Sequence, residues 1–121
     1  MRTAADAYRA VAKEIASPRD LEASLLLKAA ARLQAIQDSW QDRKPELNDA
    51  LSFNRKLWSI FVTEVTRDDN PLPIAIRQNI ANLGVFVMNQ TVSLLSNPQR
   101  ETLSALININ REIAAGLRGQ G

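Results

Sequence analysis

Few residues of this 121-residue chain could do chemistry, and what is missing narrows the choice further. Neither histidine nor cysteine occurs. That removes the commonest general base, the commonest transition-metal ligand and any thiolate or disulfide. Two carboxylate pairs, Asp38 with Asp42 and Asp68 with Asp69, could in principle share a proton or a metal ion. Their positions read instead as a solvated helix end and a turn. A phosphate-cradling loop needs clustered glycines, yet Gly84 stands alone and Gly116, Gly119 and Gly121 fall in the last six residues. There is no Gly-x-Ser-x-Gly elbow, and a helical di-metal site would need Glu-x-x-His pairs that this chain cannot supply. The residues therefore argue against an enzyme, and they call for no cofactor and no metal.

What remains is recognition chemistry. Asn54 lies on an apolar helical stripe one turn before Trp58, where an amide is costly unless hydrogen-bonded. It either fixes helix register in the core or, with Trp58, borders a groove for a partner helix. Arg55-Lys56 beside Trp58 is a weak signal for stacking on RNA, since one dibasic pair also suits a solvated helix face. Arg77 could pair with Asp68 or Asp69, or hold a partner's carboxylate.

Arg77 has a further distinction: between Asp69 and Arg100 it is the single charged residue in thirty. The window runs from Asn70-Pro-Leu-Pro73 through Ile74 to Leu83 and on to Val85-Phe-Val-Met88. Such a stretch must be packed inside or held against a partner. Arg77, Gln78, Asn79, Asn82, Asn89 and Gln90 would each be costly in a bilayer, so no membrane insertion is expected. The charges near the N-terminus, Arg2, Asp6 and Arg9, sit where a signal peptide needs its apolar core. The expectation is a soluble cytoplasmic protein. Residues 1–70 hold 11 basic and 11 acidic side chains, and residues 71–121 hold 4 and 2. No basic stripe results, which argues against direct nucleic-acid binding.

The elements that must position these residues are helices. Prolines punctuate the chain at 18, 45, 71, 73 and 98, and glycine is scarce. The expected fold is all-α, a single-domain antiparallel bundle of about five helices near 3–16, 18–41, 46–66, 74–95 and 98–117. Ala4, Tyr8, Val11, Ala12 and Ile15 give the first an apolar face. Ser17 and Pro18 make a cap and first turn for the second. The run Leu106-Ile-Asn-Ile-Asn110 alternates like a strand inside the last helix. The fourth helix is apolar most of the way round, which predicts the central helix of the bundle, with Ile76, Ile80, Leu83 and Val87 as its main stripe.

Ordered blocks of sequence carry a resemblance. They are Ala5-x-x-Tyr8; Ser17-Pro-Arg-Asp-Leu-Glu22 leading to Leu27-Lys-Ala-Ala-Ala-Arg-Leu33; Asn54-Arg-Lys-Leu-Trp-Ser-Ile-Phe61; and Leu72-Pro-Ile-Ala-Ile-Arg-Gln-Asn-Ile-Ala-Asn-Leu83. From about residue 3 to 95 the chain resembles the bacterial flagellar protein family FlaF, while the last helix carries little of the likeness. The resemblance implies a small non-enzymatic regulator of flagellin synthesis and export that binds flagellin as a secretion chaperone would. It also implies a companion regulator, FlbT, linked to flagellin messenger, and hence an alternative role on that messenger, direct or through FlbT. Matching positions that become candidate partner contacts are Asn54, Leu57, Trp58, Phe61, Leu72, Arg77 and Asn79. The expected groove lies along the edges of the third and fourth helices, with Leu72 to Asn79 as the part meeting flagellin. Nothing in the pattern sets an oligomeric state.

Overall fold

The computed structural model describes residues 18–119. Four long helices make up most of it: α1 (Pro18–Asp38), α2 (Leu47–Val65), α3 (Ile74–Ser96) and α4 (Leu103–Leu117). No strand occurs among the described residues, and the all-α expectation holds. The expected first helix, 3–16, and Ser17 lie outside the described residues.

Helix boundaries follow local chemistry. α1 opens on Pro18, whose fixed φ and missing N–H suit a first turn, and carries Asp20 against the positive end of the helix dipole. Its ladder breaks at Ser39 (φ −123°, ψ 49°), short of the expected end at 41. One further turn, Trp40–Arg43, and a 3₁₀ turn, Lys44–Glu46, then lead into α2. Arg43 donates from Nε and Nη2 to the two Glu46 carboxylate oxygens, both at 2.9 Å, across this corner. The last helix starts later than expected. Asn97, placed before Pro98, is pushed out of the helical region to φ −145°, ψ 85°. Gln99 is extended, and a 3₁₀ turn over Arg100–Thr102 precedes α4. The strand-like alternation in Leu106–Asn110 yields to the longer period. Leu103, the pair Leu106 and Ile107, Asn110, Ala114 and Leu117 fall on one helical face at three- and four-residue spacings and are all buried.

α1 and α4 form the most extensive pair, running antiparallel. Gln37, near the end of α1, donates to Arg100 O and Ser104 Oγ, whereas Arg118, just past α4, reaches back to Ser24 at the start of α1. Ala23, Ala29 and Ala30 of α1 are fully enclosed in the bundle. α2 lies antiparallel to α1, with Leu21 and Leu25 beside Ile60 and Glu64. α3 lies antiparallel to α2, with Arg77 beside Val65 and Gly84 beside Val62. A single core joins Leu26, Leu33 and Ile36 to Leu51, Trp58 and Val65, to Ile80, Val87 and Leu94, and to Leu103, Leu106 and Ile107.

One expectation is overturned. α3 is not the central helix; it packs broadly on α2 and only slightly on α4, and forms one flank. It buries Ile80, Gly84, Val87, Thr91 and Leu94, while Ile76, expected on the main stripe, is exposed and Leu83 is half-buried. An all-round apolar helix needs neighbours on every side to be enclosed, and α1 has both its packing faces occupied by α2 and α4.

Candidate partner-docking surface

The residues singled out by sequence divide between core, turn and surface. Asn54 and Trp58 are completely enclosed, and Phe61 nearly so. They belong to a polar knot inside the bundle. Trp58 Nε1–H donates to Asn110 Oδ1 at 2.9 Å, and Asn110 Nδ2 donates to Asn54 Oδ1 at 2.7 Å and to Leu26 O at 3.3 Å. Phe61 meets the Trp58 ring edge-on, with centroids 5.7 Å apart. Three helices are thus tied at one level, and their register is set there. Asn54 Nδ2 has no hydrogen-bond partner among the described groups, so the knot is incompletely satisfied. The sequence pattern placed Asn110 only at the end of a strand-like run, not at a site. Its signal was a lone amide on the otherwise apolar row Leu103, Leu106, Ile107, Ala114 and Leu117.

Arg77 serves the fold, but through different partners from those expected. Its Nε donates to Val65 O and its Nη2 to Arg67 O, each at 2.8 Å. A guanidinium thus covers carbonyls at the negative end of α2, where a cation is favoured. Asp69 is gripped by Arg67, at 3.1 and 3.2 Å, and that guanidinium holds its carboxyl below the usual range. Asn70 completes the turn: its Nδ2 donates to Glu64 O and its Oδ1 accepts from Leu72 N–H. Leu72 is half-buried against the core, and Asn79 is exposed.

Two grooves flank α2. One, with Leu57 and Phe61 in its lining, lies between α1 and α2 and is walled by Leu21, Leu25, Ile60, Glu22 and Glu64. Burial, and then the facing Glu64 carboxylate, push the Glu22 carboxyl above its usual range. The other lies between α2 and α3, along Ser59, Val62 and Thr63 on one side and Ala81, Gly84, Val85 and Met88 on the other. Beyond that groove α3 presents bare apolar side chains: Ile74 is 76% exposed, Val85 and Val92 63%, Leu95 49% and Phe86 41%. Apolar exposure therefore does not stop at Asn79 but follows α3 to its end. Arg77 is turned toward α2 carbonyls, and no other residue of α3 carries a charge, so its length from Gln78 to Ser96 is uncharged.

Among the described residues no group of three or more acidic side chains could hold a metal ion, and no helix is long and apolar enough to cross a membrane. The arrangement offers surfaces for contact.

Comparison with protein families extends the likeness beyond the blocks quoted above. The family described as flagellar protein FlaF matches residues 4–117, taking in α4 as well as the first three long helices. No curated protein and no solved structure matches the chain. With nearly its whole length matched, the chain belongs to the flagellar protein FlaF family, and its function is a flagellar one.

Proposed function

We propose that this protein is a cytoplasmic regulator of flagellin synthesis and export that binds flagellin as a secretion chaperone does, with no catalytic chemistry of its own. The observation that supports the reading is the neutral apolar flank of α3, with Val85, Phe86, Val92 and Leu95 standing in solvent. Several large apolar side chains left exposed on one helix are the kind of feature that marks a contact surface. A filament subunit has helical ends that are apolar before assembly, and a groove between two helices covers such an end by accepting its apolar face. Family membership supplies the flagellar setting. FlbT enters this reading as a second partner that a co-expression pull-down would reveal.

Calorimetry of the full chain with monomeric flagellin is the direct test. A one-to-one complex at low micromolar affinity is expected. Absence of heat and of co-purification at tens of micromolar would end the reading.

A further inference from the structure

Of the two seams that α1 makes, one is closed and one is open. The seam with α4 is bridged by polar side chains: Arg118 donates to Ser24, Arg111 to Gln34 and Gln37 to Ser104. The seam with α2 opens into the apolar groove lined by Leu21, Leu25, Leu57, Ile60 and Phe61. Ile60 is 64% exposed there and Leu21 39%. Farther along the same seam, Lys28 and Arg32 hold their cationic heads over the Phe53 ring, 5.9 and 5.3 Å from its centre.

This open groove begins three residues beyond Pro18, where α1 starts. A residue before proline is disfavoured in the α region, so the helix expected over residues 3–16 breaks at Ser17 rather than running on into α1. So short a turn makes two helices antiparallel neighbours. Their exposed rows then match step for step. Ile15, Val11, Tyr8 and Ala4 lie three, seven, ten and fourteen residues before Pro18. Leu21, Leu25, Lys28 and Arg32 lie the same numbers after it. A helix this short is marginal by itself in water, so its apolar row needs a surface to pack on. The family match begins at residue 4, which makes the segment part of what the family shares.

We propose that residues 3–16 form a helix that folds back at Ser17 onto the α1/α2 groove, seating Ile15 and Val11 on Leu21, Leu25 and Ile60. Tyr8 then lies over the Lys28 stem and the Phe53 ring. The groove is filled by the chain itself, and Leu57 and Phe61, which the sequence marked as partner contacts, line an internal seam. The short turn keeps the segment at an effective concentration on the order of millimolar or more, ahead of a second copy of the chain. The bare side of α3 is a poorer seat, because α2 lies between it and α1. This inference stands independently of the flagellin reading.

The full chain has no cysteine, so introduced pairs report the docking directly. Val11→Cys with Ile60→Cys is expected to close as an intramolecular disulfide, while Val11→Cys with Val85→Cys on α3 stays reduced. Closure of the α3 pair instead, disulfides between chains, or no closure of either pair would overturn the proposal. Hydrogen exchange gives a second reading on the cysteine-free chain. Amides of residues 7–15 should exchange about 100-fold or more slower than in a free peptide of that sequence. Ile60→Glu places a charge in the groove and should return them to the peptide's rate. Ile60 stands exposed on the four described helices, so their own packing is left intact. Val85→Glu should change nothing. Protection that is absent in the parent, that survives Ile60→Glu or that vanishes with Val85→Glu would count decisively against the fold-back.

Discussion

Asn110 is a single residue whose loss three helices should feel. Its amide accepts from the buried Trp58 indole and donates to both Asn54 and the Leu26 carbonyl. Asn110→Ala strands a buried indole N–H and leaves a small cavity, for a combined cost of about 2–4 kcal/mol. Urea unfolding would read this as a lower midpoint with an unchanged slope. A cost under about 0.5 kcal/mol would mean that the three-helix knot does not bear on stability. The knot also shows how far single residues can be read in advance. The position of Asn54 on an apolar stripe identified it as an amide needing a partner. Its partner lies 56 residues away, on a helix whose local alternation resembled a strand, so the pairing was invisible until α4 was placed. Arg77 is a similar case. Its isolation signalled a dedicated contact, but carbonyl oxygens at a helix end leave no trace in side-chain identity.

At the scale of elements, the α2–α3 contact depends on Gly84. A Cβ built there would overlap Val62 Cγ2, a stiff β-branched side chain with little room to turn away. In an ordinary helix glycine-to-alanine is favourable by about 1 kcal/mol. Here the overlap should win, and Gly84→Ala is expected to destabilise by about 1–3 kcal/mol. Trimming Val62 to Ala in the same chain should recover much of that loss. A double-mutant cycle measures this coupling; an additive result would show that the helices separate freely at this point. Helix extents were largely legible because proline and the apolar period mark them locally. The start of α4 was less so, because the chain leaves Pro98 extended before it turns again.

For the molecule as a whole, 15 basic and 13 acidic side chains leave a net charge of +2 and there is no histidine, so pH acts near neutrality through perturbed local groups. Glu22, pressed among apolar side chains and facing Glu64, has its carboxyl raised above the usual range. The folded state therefore holds this proton more tightly than the unfolded one. Stability contributed by the protonated form is present at acid pH and is lost as pH rises through the raised value. Because the site is half open to solvent, the effect is expected to be a few tenths of a kcal/mol. Glu22→Gln should raise the melting temperature by about 1–2 °C at pH 7, with the gain shrinking toward pH 4. A gain that instead grows toward acid would contradict the assigned cause.

By itself the sequence determined the helical class, most helix boundaries, the absence of histidine and cysteine chemistry, and the family resemblance. All of these depend on residue identity and short-range period. It also revealed that residues 70–99 are too apolar and too neutral to lie idle. Which side of that stretch is covered was decided only by the tertiary structure. A helix apolar on several faces packs equally well, in local terms, through any of them. The outcome is seen at Gly84, where α3 approaches Val62 closely, and at α1, which pairs with α4 rather than with α3. Val85, Phe86, Val92 and Leu95 remained outside because, with α1 paired to α2 and α4, no described helix is left to cover them.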